Sequence, residues 1–205
     1  GASLPSSMAA LASSAPAGSS AANDAKPKVP QTVQEKIQAA QDCRERGKEL
    51  FVSGEYAKAA AQYGRVFAYT RGLDVNSEFA SYQNALGIEP PTEAELEDIN
   101  SLEIVCNSNI AICHFKVKKW GKCLDFCKKV LEKSPEHGKA LCTQGRAYIQ
   151  IGDLDKAKES LVAAAKICPK DVVIQKELAR IPALQKRQQK KEKSTWKAAF
   201  SQMNS

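Results

Sequence analysis

From residue 32 onward, apolar side chains recur every three to four positions, the period of a helix with one buried face. Cys43, Gly47, Leu50 and Phe51 share one such face, Ser53-Gly54 interrupts it, and Tyr56, Ala59, Ala60, Tyr63 and Phe67 form the next. This predicts a helix, a tight turn and a second helix ending near Thr70. Residues 71 to 89 have few paired apolar positions and predict a long loop, with room for one short helix. After Pro90-Pro91, Thr92 and Glu95 have the capping-box spacing that opens a helix, and the stripe Leu96, Ile99, Leu102, Ile104, Val105, Asn109, Ile112 and Phe115 carries it to about Val117. Helices follow near 120–133 and 136–150, then a Gly152-Asp153 turn, a helix to about Ile167, a stop at Pro169 and a last helix from Asp171. Pro182 lacks an N–H and is expected to kink that helix or to start a new one. Residues 1–31 are Ala/Ser-rich without periodicity and are read as a disordered leader. The predicted fold class is all-α.

A helix pair cannot bury its face alone, so a recurring pair should stack on copies of itself. Shifting the chain by 34 residues brings Ala111 onto Gly145, Cys123 onto Ala157, Val130 onto Ala164 and Pro135 onto Pro169. Placing Gly47 at the same point aligns Gly54 with Gly152, Ala59 with Ala157 and Tyr63 with Leu161. The first two units are 64 residues apart, which implies an insertion of about thirty residues between them.

This spacing resembles the tetratricopeptide repeat (TPR), with units at about 40–73, 104–137 and 138–171 in a domain spanning 32–184, an insertion at about 74–103 and a basic helical extension over 185–205. The long loop, the extended first helix of the second unit with Ser108 to His114, and the basic final helix ending Trp196-Lys197-Ala198-Ala199-Phe200 are similar to the C-terminal domain of large FKBP-type immunophilins and aryl-hydrocarbon-receptor-interacting proteins. Residues 102–108 also resemble stand-alone repeat proteins of the TTC-nine type. The resemblance implies a helix-turn-helix solenoid of three repeats with a long C-terminal capping helix, whose first helices line a concave peptide groove. In chaperone-binding relatives, five polar side chains there hold the C-terminal carboxylate and last aspartate of a heat-shock chaperone ending Glu-Glu-Val-Asp. Carried over, the five positions fall on Arg44, Lys48, Asn109, Lys139 and Thr143. Asn109 and Lys139 match, Arg44 keeps the charge, and Lys48 and Thr143 depart. Arg146, equivalent to Lys48 in the third unit, is expected to restore a cation, with Phe51 and Ile112 as the apolar floor. The reading is therefore a co-chaperone-like adaptor for an acidic peptide. The alternative is an assembly adaptor with an altered clamp and a non-chaperone partner.

The chain has 205 residues and a net charge of +7, most of it between Lys176 and Lys197. Lys186, Arg187, Lys190, Lys191 and Lys197 with Trp196 and Phe200 form a second candidate surface, for an acidic partner of calmodulin type. No nucleic-acid motif accompanies the charge, and no run of about 18 apolar residues offers a membrane span. Seven cysteines without framework spacing suit reduced thiols, hence a cytoplasmic protein, with the nucleus also compatible. Cys43, close in sequence to Arg44 and Arg46, is expected to have a lowered thiol pKa. Cys123 and Cys127 fall on core positions, so neither a metal nor any cofactor is expected. The two histidines, His114 and His137, lack nucleophile partners at motif spacing, and no isomerase domain of the kind that precedes such repeats in many relatives is found in the sequence. A non-enzymatic protein follows, with a fragment of a longer immunophilin as the second reading.

Overall fold

The computed structural model describes residues 30–73 and 89–203. Residues 1–29 of the leader, and most of the predicted 71–89 loop, lie outside the described residues. Among the described residues seven helices follow in order: α1 Val33–Val52, α2 Tyr56–Thr70, α3 Glu93–Lys116, α4 Trp120–Lys133, α5 Gly138–Ile151, α6 Leu154–Ile167 and α7 Val172–Met203. No strand occurs among them. Both Thr92–Glu95 and Thr32–Glu35 close reciprocal capping boxes, which satisfy N–H groups that a helix start leaves without partners. α7 runs through Pro182 as one helix, so the expected new start there does not occur.

Each helix packs on the next in sequence, and the odd-numbered helices α1, α3, α5 and α7 also touch in series. That second set of contacts makes them the inner wall of a solenoid. The repeat register reappears as burial. Ala59, Cys123 and Ala157 are fully buried, as are Val66, Val130 and Ala164 two turns later. Where the paired helices of each unit cross, residue sizes compensate. A Cβ on Gly47 would lie 2.7 Å from the Tyr63 ring, and one on Gly145 would lie 2.6 Å from Leu161 Cγ. In the second unit the equivalent pair is Ala111 with Cys127, larger on one side and smaller on the other. Close-packed interiors admit little volume change, so the three pairs are alternative solutions to one contact. Three core clusters result, around α1–α2–α3, α3–α4–α5 and α5–α6–α7, and a smaller one in which Val33, Leu73 and Ile99 tie the start of α3 to α1.

The turn joining the helices of each unit needs one residue of left-handed backbone. Gly54 and Gly152 take it at φ 82° and 87°. Lys118 takes the equivalent position in the second unit at φ 59°, although a side chain there costs roughly 1 kcal/mol that glycine avoids.

His137 opens α5, its Nδ1 accepting from the Ala140 N–H at 3.1 Å. Burial first, then Lys139, holds its pKa below the ordinary 6.5, and burial with Lys122 and Lys119 does the same for His114. The unfolded chain therefore binds these protons more readily, so stability falls as pH drops below about 6.5. The urea midpoint is expected to decrease from pH 7 to pH 5, and to decrease less in His137→Asn, which keeps a side-chain acceptor for the cap. Equal pH slopes in the two proteins would remove His137 from this account.

Candidate functional site

The inner wall holds a recess of about 360 Å³ lined by Arg44, Glu45, Lys48 and Phe51 of α1, Tyr63 of α2, Val105, Asn109 and Ile112 of α3, and Lys139 of α5. Six of the eight predicted groove residues are thus brought together from three helices. Lys139 Nζ donates to Asn109 Oδ1 at 3.3 Å, which links the α3 and α5 walls. Tyr63 closes the floor, and burial pushes its phenol up to about 12, so it stays a neutral hydroxyl.

Glu45 is the member that sequence reasoning missed. Its carboxylate accepts from Arg44 Nη2 at 2.7 Å and lies 3.6 Å from Lys48 Nζ. The Arg44 hydrogen bond and the Lys48 charge hold its pKa below the usual carboxylate range. The recess therefore contains three cations around one internal carboxylate. Spacing carried a signal for this, because residues three apart on a helix are neighbours and Glu45 precedes Lys48 by three.

Two expected residues need correction. Thr143 is buried, and its hydroxyl donates to the Lys139 carbonyl at 2.8 Å, so it presents no donor to the recess. Arg146 does not share the recess of Arg44, Lys48 and Lys139; its guanidinium stacks on Phe115 at 4.5 Å and faces Glu177 of α7 at 3.7 Å, in a separate recess. The Cys43 expectation also reverses: the thiol is buried in the core, and desolvation raises its pKa despite Arg65 and Arg46. Cys123 and Cys127 pack with Ala111 and Ala147 in the core, and among the described residues no group of three or more potential ligands is placed to hold a metal ion.

Lys186, Arg187, Lys190, Lys191, Trp196, Lys197 and Phe200 all lie on the exposed part of α7. A groove of about 920 Å³ opens between this part and the α5–α6 turn, with Ile149, Leu154, Leu184 and Trp196 as its apolar lining. No helix among the described residues is long and apolar enough to cross a membrane.

No family model matches the chain. It is 29% identical over 170 residues to peptidyl-prolyl cis-trans isomerase FKBP42 of Arabidopsis thaliana, covering 82% of this chain and 43% of the relative, so the chain spans less than half of that protein's length. The C-terminal TPR-containing domain of the Plasmodium falciparum FK506-binding protein PFL2275c superposes with a TM-score of 0.65 at 28% identity, over 78% of this chain and 97% of that domain. The first TPR domain of Spaghetti (RPAP3), solved with the HSP90 peptide SRMEEVD, superposes with a TM-score of 0.54 at 18% identity, over 72% of this chain and 93% of the other. The Plasmodium domain is alike in sequence and fold, the RPAP3 domain in fold alone. Taken with the three repeated helix pairs and their shared contacts, these likenesses make the chain a tetratricopeptide-repeat solenoid that resembles the C-terminal repeat region of the FKBP-type immunophilins.

Proposed function

We propose that this domain is a non-enzymatic, co-chaperone-like adaptor that holds an acidic C-terminal peptide of the heat-shock chaperone type in the recess around Asn109 and Lys139. The observation that carries the reading is that one recess gathers Arg44 and Lys48 of α1 with Lys139 of α5, the last bonded to the Asn109 amide, beside Phe51, Ile112 and Tyr63. A terminal carboxylate beside an aspartate side chain brings two negative charges into a narrow space. Their desolvation is offset only by several converging cations and a polar donor. A structural neighbour of the same fold was solved with an HSP90 peptide, which supports the reading.

Glu45 gives the site its character. It serves as the internal counter-ion of Arg44 and Lys48, so an incoming carboxylate competes with it for both. The substitution Glu45→Gln frees the two cations while keeping the side-chain volume. The affinity of a fluorescent peptide ending Glu-Glu-Val-Asp is expected to rise in this variant, by up to about fivefold, the upper end for an exposed ion pair. Binding in both proteins should weaken as salt rises from about 50 to 500 mM. An unchanged or lower affinity in Glu45→Gln would show that the peptide carboxylates do not meet Arg44 and Lys48.

A further inference from the structure

The recess that contains Arg146 lies on the same wall as the first. Asn109 and Lys116 are seven residues apart on α3, as are Lys139 and Arg146 on α5. Seven residues are nearly two full turns, so each pair shares a helix face with about 20° of drift and roughly 10 Å of rise. The seam that begins at the Asn109–Lys139 hydrogen bond therefore continues to Lys116 and Arg146. The second recess encloses about 350 Å³ among Phe115, Lys116, Lys118, Trp120, Arg146, Gln150, Glu177 and Arg180. Four of these are cations and one is an acid.

Two features mark this recess as more than a solvated charge cluster. The Arg146 guanidinium sits over the Phe115 ring at 4.5 Å, and that ring has Trp120 as its edge-to-face partner at 5.1 Å, so the cation is held in place by an aromatic pair. Glu177 spans Arg146 at 3.7 Å and Arg180 at 2.6 Å, repeating the part that Glu45 plays in the first recess. Lys118 is the second feature. It occupies the left-handed turn position that the other two units give to glycine, and it is one of the residues lining this recess. Backbone strain retained at a position where glycine is otherwise used, with a cation placed in a pocket as the result, is a feature of binding sites.

We infer that this recess is a second anionic subsite of the peptide groove, and that it takes the acidic side chain three residues before the C-terminal residue. The inference rests on the proposed carboxylate clamp: with the terminus at Asn109 and Lys139, an extended chain rising about 3.3 Å per residue reaches Arg146 in three steps. The peptide class becomes one with a negative charge at the terminus and another three positions upstream, supplied by a glutamate or a phosphorylated serine.

The test uses the full chain and four peptides of one length: a free acid with Glu three residues before the last, the same with Gln or phosphoserine there, and the Glu peptide with an amidated terminus. In the wild-type protein the Gln peptide is expected to bind about fivefold more weakly than the Glu peptide, and the phosphoserine peptide at least as tightly as Glu. In Lys118→Gly and in Arg146→Gln this Glu-to-Gln difference should shrink below about twofold. Lys118→Gly is informative because it relieves backbone strain: its melting temperature should rise while its preference for the anionic peptide falls, a combination that a purely structural role for Lys118 does not produce. Equal Glu-to-Gln ratios in wild type and both variants would overturn the second subsite. Equal binding of the acid and amidated peptides would instead overturn the clamp itself, whatever the variants do.

Discussion

Truncating Leu161 to alanine is expected to lower the unfolding free energy by about 3 kcal/mol, within the range for removing a buried leucine and leaving a cavity. Leu161 is fully buried in the α5–α6–α7 cluster, where it covers Gly145 at the crossing of the third pair. Gly145→Ala should also destabilise, for the opposite reason. Its new Cβ would meet Leu161 Cγ at 2.6 Å and the Ala157 carbonyl oxygen at 3.1 Å. Overpacking of this kind costs about 1–3 kcal/mol, against which alanine recovers at most about 1 kcal/mol of helix propensity. The double variant is the decisive one. It recreates the arrangement of the second unit, where a residue with a Cβ, Ala111, faces a small one, Cys127. The loss in the double variant should therefore be smaller than the sum of the single losses by about 1 kcal/mol or more, measured by urea denaturation. Strict additivity would mean that the crossing contact is not what sets the spacing of the paired helices.

The second large effect concerns binding. Lys139→Ala removes the α5 cation of the first recess and releases the Asn109 side chain from its bond across the seam. A hydrogen bond to a charged group contributes about 1.5–3 kcal/mol, so affinity for the free-acid peptide should fall roughly 10- to 100-fold. Stability should change little, because Lys139 is exposed and its loss opens no cavity. A matched loss for the amidated peptide would place the effect elsewhere than at the terminal carboxylate. Lys186→Ala, on the exposed part of α7 and away from both recesses, is the control.

The repeat was legible because its register rests on volume. Small residues at 47, 111 and 145 and buried residues at 59, 123 and 157 are forced by the closeness of two helices, and that constraint recurs every 34 residues apart from the insertion. The helix ends were legible for a similar reason, since Thr92 with Glu95 and Gly152 with Asp153 are local solutions to local backbone needs. Side-chain direction on the groove wall was less so. Arg146 aligns with Lys48 by repeat position, yet α5 faces Phe115 and α7 there, while Lys48 on α1 lies beside Glu45 of its own helix. Equivalent positions in a solenoid have different neighbours at each end. Thr143 escaped for another reason: a threonine in a helix can satisfy itself by donating to the carbonyl four residues back, and this one does.

Glu45 and Lys118 were hidden differently. A glutamate between two cations reads as one more solvated charge until the recess around it is known. Lys118 was available from the alignment, because the shift that pairs Gly54 with Gly152 also lands on it, but a lysine in a turn carries no mark of its backbone conformation. At Cys43 the competition is settled by burial, whose effect on a thiolate outweighs the nearby arginines.

The most direct test of the central claim is an amide-shift NMR titration of the full chain with a pentapeptide ending Met-Glu-Glu-Val-Asp, beside the same peptide amidated at its C-terminus. The account predicts saturable shifts at Arg44, Asn109 and Lys139 with the free acid and their near-absence with the amide. Equal shifts with both peptides, or none with either, would contradict a carboxylate-binding groove.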